Sequence, residues 1–129
     1  MSIINFSMED FDGNVYEVNS NVYTLSLNRK QGISYWFYIP TEIIYELKLA
    51  YQDRVYFYVV QNKTAVISFR NPYRVRVQSR KIGFAGRDRR LCVVLPKRLF
   101  DKEFLASKKK IQLLSLSDTD TYEWQIRFL

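Results

Sequence analysis

The chain has 129 residues, 47% of them apolar and 16% aromatic, with a formal net charge of +7. That is material for one packed domain or two very small fused ones. A single cysteine, Cys92, excludes an internal disulfide and a thiolate zinc cage, and the lack of histidine removes the commonest general base and metal ligand.

No basic-then-apolar leader and no apolar run near about 20 residues is present, so the expectation is a cytoplasmic protein without membrane contact. The richness in aromatic and β-branched residues predicts a mostly β fold with short helices. Charge is unevenly spread. Residues 1–70 hold 6 Lys/Arg and 7 Asp/Glu, a balance of −1, whereas residues 71–129 hold 14 and 6, a balance of +8. A localised excess of this kind points to an anionic partner.

In chain order, residues 1–21 read as an N-terminal arm. Glu9, Asp10, Asp12 and Gly13 make an acidic stretch there, with Phe6 and Phe11 as anchors, but the later ligand positions of a calcium loop are missing. From Val22 a strand follows, with Leu25 and Leu27 in alternation. Asn28–Gly32 reads as a turn and Tyr35–Ile39 as an aromatic strand ending at Pro40. Thr41–Leu49 switches to helical spacing through Ile43, Ile44 and Leu47, with Pro tolerated at the entrance. Val55–Val60 and Ala65–Phe69 are further strands. The order then recurs: a strand at Tyr73–Val77, a long hairpin tip at Ser79–Arg90, a strand at Leu91–Leu95 ending at Pro96. A helix at Lys97–Leu105 and strands at Ile111–Leu116 and Tyr122–Phe128 complete it.

Subtraction tests the repeat. Ile39-Pro40 matches Leu95-Pro96 at a shift of 56, and the same shift carries Ile43, Ile44 and Leu49 onto Leu99, Phe100 and Leu105, and Val55 and Phe57 onto Ile111 and Leu113. Leu47 breaks the pattern, because Glu103 stands opposite it. The expectation is an internal duplication, with halves at residues 22–70 and 71–129.

The run Phe37-Tyr38-Ile39-Pro40-Thr41-Glu42-Ile43-Ile44-Tyr45-Glu46-Leu47-Lys48-Leu49, followed by Asp53-Arg54-Val55-Tyr56-Phe57, resembles the AbrB/SpoVT swapped-hairpin family. Gln52 replaces the glycine usual before the Asp. The second half, from Val93-Val94-Leu95-Pro96-Lys97-Arg98-Leu99, looks like a more diverged copy, with Lys108-Lys109 where the Gly-Asp pair is expected. The resemblance implies a swapped-hairpin β-barrel in which one chain supplies both halves as a pseudo-dimer, and a DNA-binding regulator as the function. A half of this size could hardly bury a sufficient core alone. The family's use of its first hairpin places contacts on Arg80, Lys81, Arg87, Arg89 and Arg90, and in the first half on Arg29 and Lys30.

The residues themselves point the same way. Arg70, Arg74, Arg76, Arg80, Lys81, Arg87, Arg89, Arg90, Lys97 and Arg98 are ten cations against one acid, Asp88. On a regular strand Arg74, Arg76 and Arg80 would share one face, with Tyr73, Val75 and Val77 on the other. Arginine suits forked contacts to phosphate and to guanine edges. Gly83 and Gly86 would free the tip to enter a groove, with Phe84 as a wedge. The competing reading is a charged edge that blunts aggregation. Lys108–Lys110 reads as a complement to a helix dipole. Tyr35, Trp36, Tyr38, Tyr56, Tyr58, Trp124 and Phe128 read as core, with a stacking platform as the alternative. Asp101/Glu103 and Asp118/Asp120 are the acid pairs nearest the cations. On a helix the first two would point about 200° apart, and Asp118-Thr119-Asp120-Thr121 has turn chemistry.

Together these give a non-catalytic, cofactor-free binder of double-stranded DNA, with a homo-oligomer or protein partner left open. The alternative is a structural or interaction module, such as a viral or complex-assembly subunit, whose basic segment meets an acidic partner.

Overall fold

The computed structural model describes residues 22–30, 34–61, 64–117 and 120–129. The arm at 1–21, Gly32, and Asp118-Thr119 therefore lie outside the described residues. So does the side chain of Lys30, although its backbone is described.

Among the described residues, ten strands and two helices follow in order: β1 (Val22–Ser26), β2 (Asn28–Lys30), β3 (Ser34–Tyr38), α1 (Thr41–Leu47), β4 (Arg54–Val60), β5 (Thr64–Ser68), β6 (Gln78–Lys81), β7 (Gly83–Ala85), β8 (Arg90–Val94), α2 (Lys102–Ala106), β9 (Lys110–Ser115) and β10 (Glu123–Phe128). They build two antiparallel sheets, a six-stranded one in the order β1-β9-β10-β5-β4-β6 and a four-stranded one in the order β2-β3-β8-β7. The mostly β expectation holds.

The closed barrel does not. Closure requires an unbroken ladder around the whole circuit. Here the chain leaves the large sheet for the small one at single buried corner residues, Leu27 and Ile82. Each corner residue donates its N–H across the chain, Leu27 to Lys109 (2.8 Å) and Ile82 to Asp53 (2.8 Å). Their side chains join the core of Phe37, Ile39, Val55, Phe57, Ile67, Ile111, Leu113 and Trp124.

Each sheet mixes strands from both stretches of the chain, and each order reads the same when β1–β5 are exchanged for β6–β10. The registers follow that exchange. Tyr23↔Leu113 becomes Gln78↔Phe57, and Arg29↔Tyr35 becomes Phe84↔Leu91. Phe37↔Val93 and Val66↔Gln125 map onto themselves. The match is uneven in side chains. Trp124 stands opposite Ile67 while Ala65 stands opposite Ile126, so the small residue takes the place of the large one. On the Ala65 side a groove of about 780 Å³ remains, lined by Val59, Ala65, Phe100, Phe104 and Phe128 with Lys108 and Arg127 among its polar groups.

Three local expectations need correction. Asn28–Lys30 is strand β2, not part of a turn. The second helix begins at Lys102, because Asp101 caps it by accepting from the Glu103 N–H (2.9 Å), and residues 97–100 form a turn. Residues 71–77 are not a strand. Pro72 has no N–H to give a ladder. Asn71 Oδ1 accepts from the Tyr73 N–H (2.8 Å), and Tyr73 and Arg76 hold φ of 52° and 62°. Arg74, Arg76 and Arg80 therefore share no strand face, and Tyr73 and Val75 are exposed.

Among the described residues, no helix is long and apolar enough to cross a membrane.

Candidate nucleic-acid interface

The tip expected at Ser79–Arg90 is shorter than the sequence suggests. It contains the end of β6, all of β7, and a turn at 86–89 in which the Arg89 N–H reaches the Gly86 carbonyl (3.2 Å). Gly83 lies within strand β7. Gly86 has φ +79°, and a Cβ there would stand 2.7 Å from the Tyr38 hydroxyl, so this glycine is required by close approach as well as by backbone geometry.

Arg87, Arg89 and Arg90 are exposed around this turn. Two of them lie on aromatic faces. The Arg90 guanidinium is 4.1 Å from the Tyr38 ring centroid, and that of Arg89 is 4.5 Å from Phe84. Phe84 in turn stacks on Tyr51 at 4.4 Å and 6°. Tyr38 meets Trp36 edge-on at 5.0 Å. A guanidinium laid over a ring keeps its in-plane N–H donors directed outward, and the contact adds roughly 0.5–1 kcal/mol at exposed sites. Phe84 is thus engaged by Tyr51 and Arg89 rather than standing free as a wedge.

The other cations divide among separate places. Arg80 and Lys81 lie on edge strand β6, where neighbouring side chains take opposite faces. Arg80 pairs with buried Val55 and is half-buried, its guanidinium donating to the Ser79 carbonyl (2.8 Å). Lys81 pairs with exposed Arg54, whose Nη1 donates to Ser79 Oγ (2.9 Å). Arg54 escaped the sequence reading because only the register brings it to the basic segment. Arg70 is held by Asp120 at 3.1 Å and over Tyr122 at 4.5 Å, which removes it from the candidates. Arg74 lies 4.4 Å over Tyr58, whose hydroxyl donates to Glu123 (3.1 Å). Burial, then Glu123, raises the Tyr58 phenol above its usual range.

Lys97 and Arg98 are exposed beyond Pro96, past the end of β8. The Leu95 N–H bonds the Tyr35 carbonyl (2.8 Å), which sets this end of β8 beside the start of β3 and the β2–β3 hairpin with Arg29 and Lys30. The β7–β8 turn lies at the other end, roughly 20 Å away at about 3.3 Å per residue. The expected cluster is therefore two poles of one small sheet plus an edge stripe. Among the described residues, no carboxylate stands within ion-pair distance of the Lys and Arg side chains from Arg74 to Arg98.

The acid pairs have local roles. Asp101 caps α2, and Asp120 holds Arg70 and accepts from the Tyr122 N–H (3.2 Å). Among the described residues no group of three His, Cys, Asp or Glu side chains is placed to hold a metal. Trp124 and Tyr58 are buried and Phe128 packs half-buried against the core, but Tyr38 and Tyr51 carry ring faces into the basic tip.

In comparisons with known proteins, no family model, no curated sequence and no solved structure matches the chain.

Proposed function

We propose that this chain is a non-catalytic double-stranded DNA-binding protein of the cytoplasm, a regulator of transcription in kind. We further propose that it is a duplicated swapped-hairpin unit of the AbrB/SpoVT type whose two halves form a pseudo-dimer. The observation that carries the function is the β7–β8 turn. It presents Arg87, Arg89 and Arg90 with two guanidinium groups seated on rings and, among the described residues, no carboxylate to neutralise them. Fixed, uncompensated arginines lose little freedom on meeting phosphate. The exchange-invariant strand orders and registers support the architectural half of the proposal.

The test is a fluorescence-anisotropy titration of a labelled duplex across a salt series. Contact with three to five phosphates gives a log–log slope of about −3 to −4.5, at roughly 0.9 per contact. Binding that is absent, or indifferent to salt, overturns the reading. Competition by single-stranded DNA and RNA distinguishes duplex recognition from the other forms.

A further inference from the structure

Between Arg70 and β6 the chain forms a loop anchored at both ends. At one end, buried Ser68 donates its hydroxyl to the Arg70 carbonyl (2.7 Å) and Arg70 is fixed by Asp120. Further on, Arg74 rests on Tyr58, and Gln78 enters the ladder opposite Phe57. Between these anchors Tyr73 and Val75 project with 89% and 87% of their surface exposed, more than any other large apolar residue among those described. They alternate with Arg74 and Arg76. Arg74 shares Tyr58 with Glu123, whereas Arg76 has no carboxylate within ion-pair distance among the described residues.

Apolar tips on a loop with fixed ends, interleaved with arginine, have the chemistry of a wedge. Arginine is drawn to the negative potential of a narrow minor groove. A small apolar side chain can part a base step there, and the bend this causes brings more of the protein against the duplex. A valine favours this over a platform for single strands, since base stacking needs aromatic faces. We infer that the 71–77 loop is a second nucleic-acid contact, which inserts Tyr73 and Val75 into the minor groove and bends the duplex. This rests on the DNA-binding reading but concerns a different segment from the β7–β8 turn.

The experiment uses the full chain and a duplex of about 30 bp, with 2-aminopurine at a central step and a donor–acceptor pair at its ends. The native protein raises the 2-aminopurine fluorescence and shortens the end-to-end distance. The double variant Tyr73→Ser/Val75→Ser loses both signals and binds about tenfold more weakly. It keeps its salt slope, since every cation remains, and its thermal melt is unchanged. If the native protein binds without unstacking or bending, or the variant behaves as the native chain does, the wedge is overturned while DNA binding stands. Absence of any duplex binding overturns both. Tight binding to polyglutamate that depends on Tyr73 and Val75, with no unstacking of DNA, assigns the loop to an acidic protein and also overturns the wedge.

Discussion

Arg54 and Lys81 stand directly opposite each other in the β4–β6 ladder, two cations on the same face of an edge pair. Like charges so placed repel by roughly 0.2–1 kcal/mol. Asp53 next door does not relieve them by an ion pair, and one of its carboxylate oxygens accepts from the Ala50 N–H (2.8 Å). Arg54→Gln should raise the melting temperature at low salt while weakening duplex binding. Added salt should stabilise the native chain more than the variant. Thermal melts at two ionic strengths, beside an anisotropy titration, check this opposition of stability and binding.

Reversing charge at Arg87, Arg89 and Arg90 together should abolish duplex binding and leave the fold intact, because all three are exposed. The contrasting variant is Arg70→Glu. It breaks the Asp120 pair and is expected to affect stability more than affinity. Unchanged affinity in the triple variant would remove the β7–β8 turn from the interface.

Gly86→Ala forces a Cβ against the Tyr38 hydroxyl at a φ of +79°. The expected loss is about 1–2 kcal/mol of stability, since alanine at positive φ is strained wherever space exists. Adding Tyr38→Phe removes the clashing oxygen, so the pair should couple favourably in a double-mutant cycle measured by denaturant unfolding. Part of the loss should persist, from the backbone alone.

Tyr58 has a folded-state pKa raised above 10.0 by burial and then by Glu123. A raised value means that the folded state favours the neutral phenol. Its contribution is present in full below the unfolded pKa and is lost as pH climbs through 10 and on through the folded value. Stability should therefore fall on the alkaline side, and Tyr58→Phe should flatten that limb in melts taken along a pH series.

Trp124 is fully buried and donates its indole N–H to the Thr121 carbonyl (2.6 Å). Trp124→Ala should cost about 3–5 kcal/mol. Ala65→Leu, at the exchanged position facing the groove, should change stability by less than about 1 kcal/mol, because the side chain grows into open space rather than packed core. A cost similar to that of Trp124→Ala would show that the groove is not open to it.

Much of the scaffold is legible in the residues. The Ile39-Pro40 and Leu95-Pro96 stops, the continuous apolar and aromatic run of Val55–Val60 and the helical spacing within Thr41–Leu49 each have one strong local cause, and each element forms close to where its pattern lies. Residues 71–77 misled because Tyr-Arg-Val-Arg-Val alternates as a strand should, while Pro72 and the Asn71 side chain compete for the backbone. The site was legible as composition and not as arrangement. Ten cations in sequence do not tell that Arg70 is neutralised, that Arg80 and Lys81 face apart, or that Lys97 lies at the far pole. Nor does any local signal bring Arg54 opposite Lys81 or Tyr51 onto Phe84, because register and tertiary stacking join positions tens of residues apart.

The place of β10 between β9 and β5 has a consequence for how the molecule is made. Among the described strands it is the last in chain order, yet it sits inside the larger sheet. A nascent chain that has not released Glu123–Phe128 exposes two raw strand flanks, on β5 and on β9, in what will become the interior. Such unpaired flanks invite wrong partners. Assembly on the ribosome should therefore stay incomplete until translation has passed residue 128, and any chaperone dependence should centre on that interval.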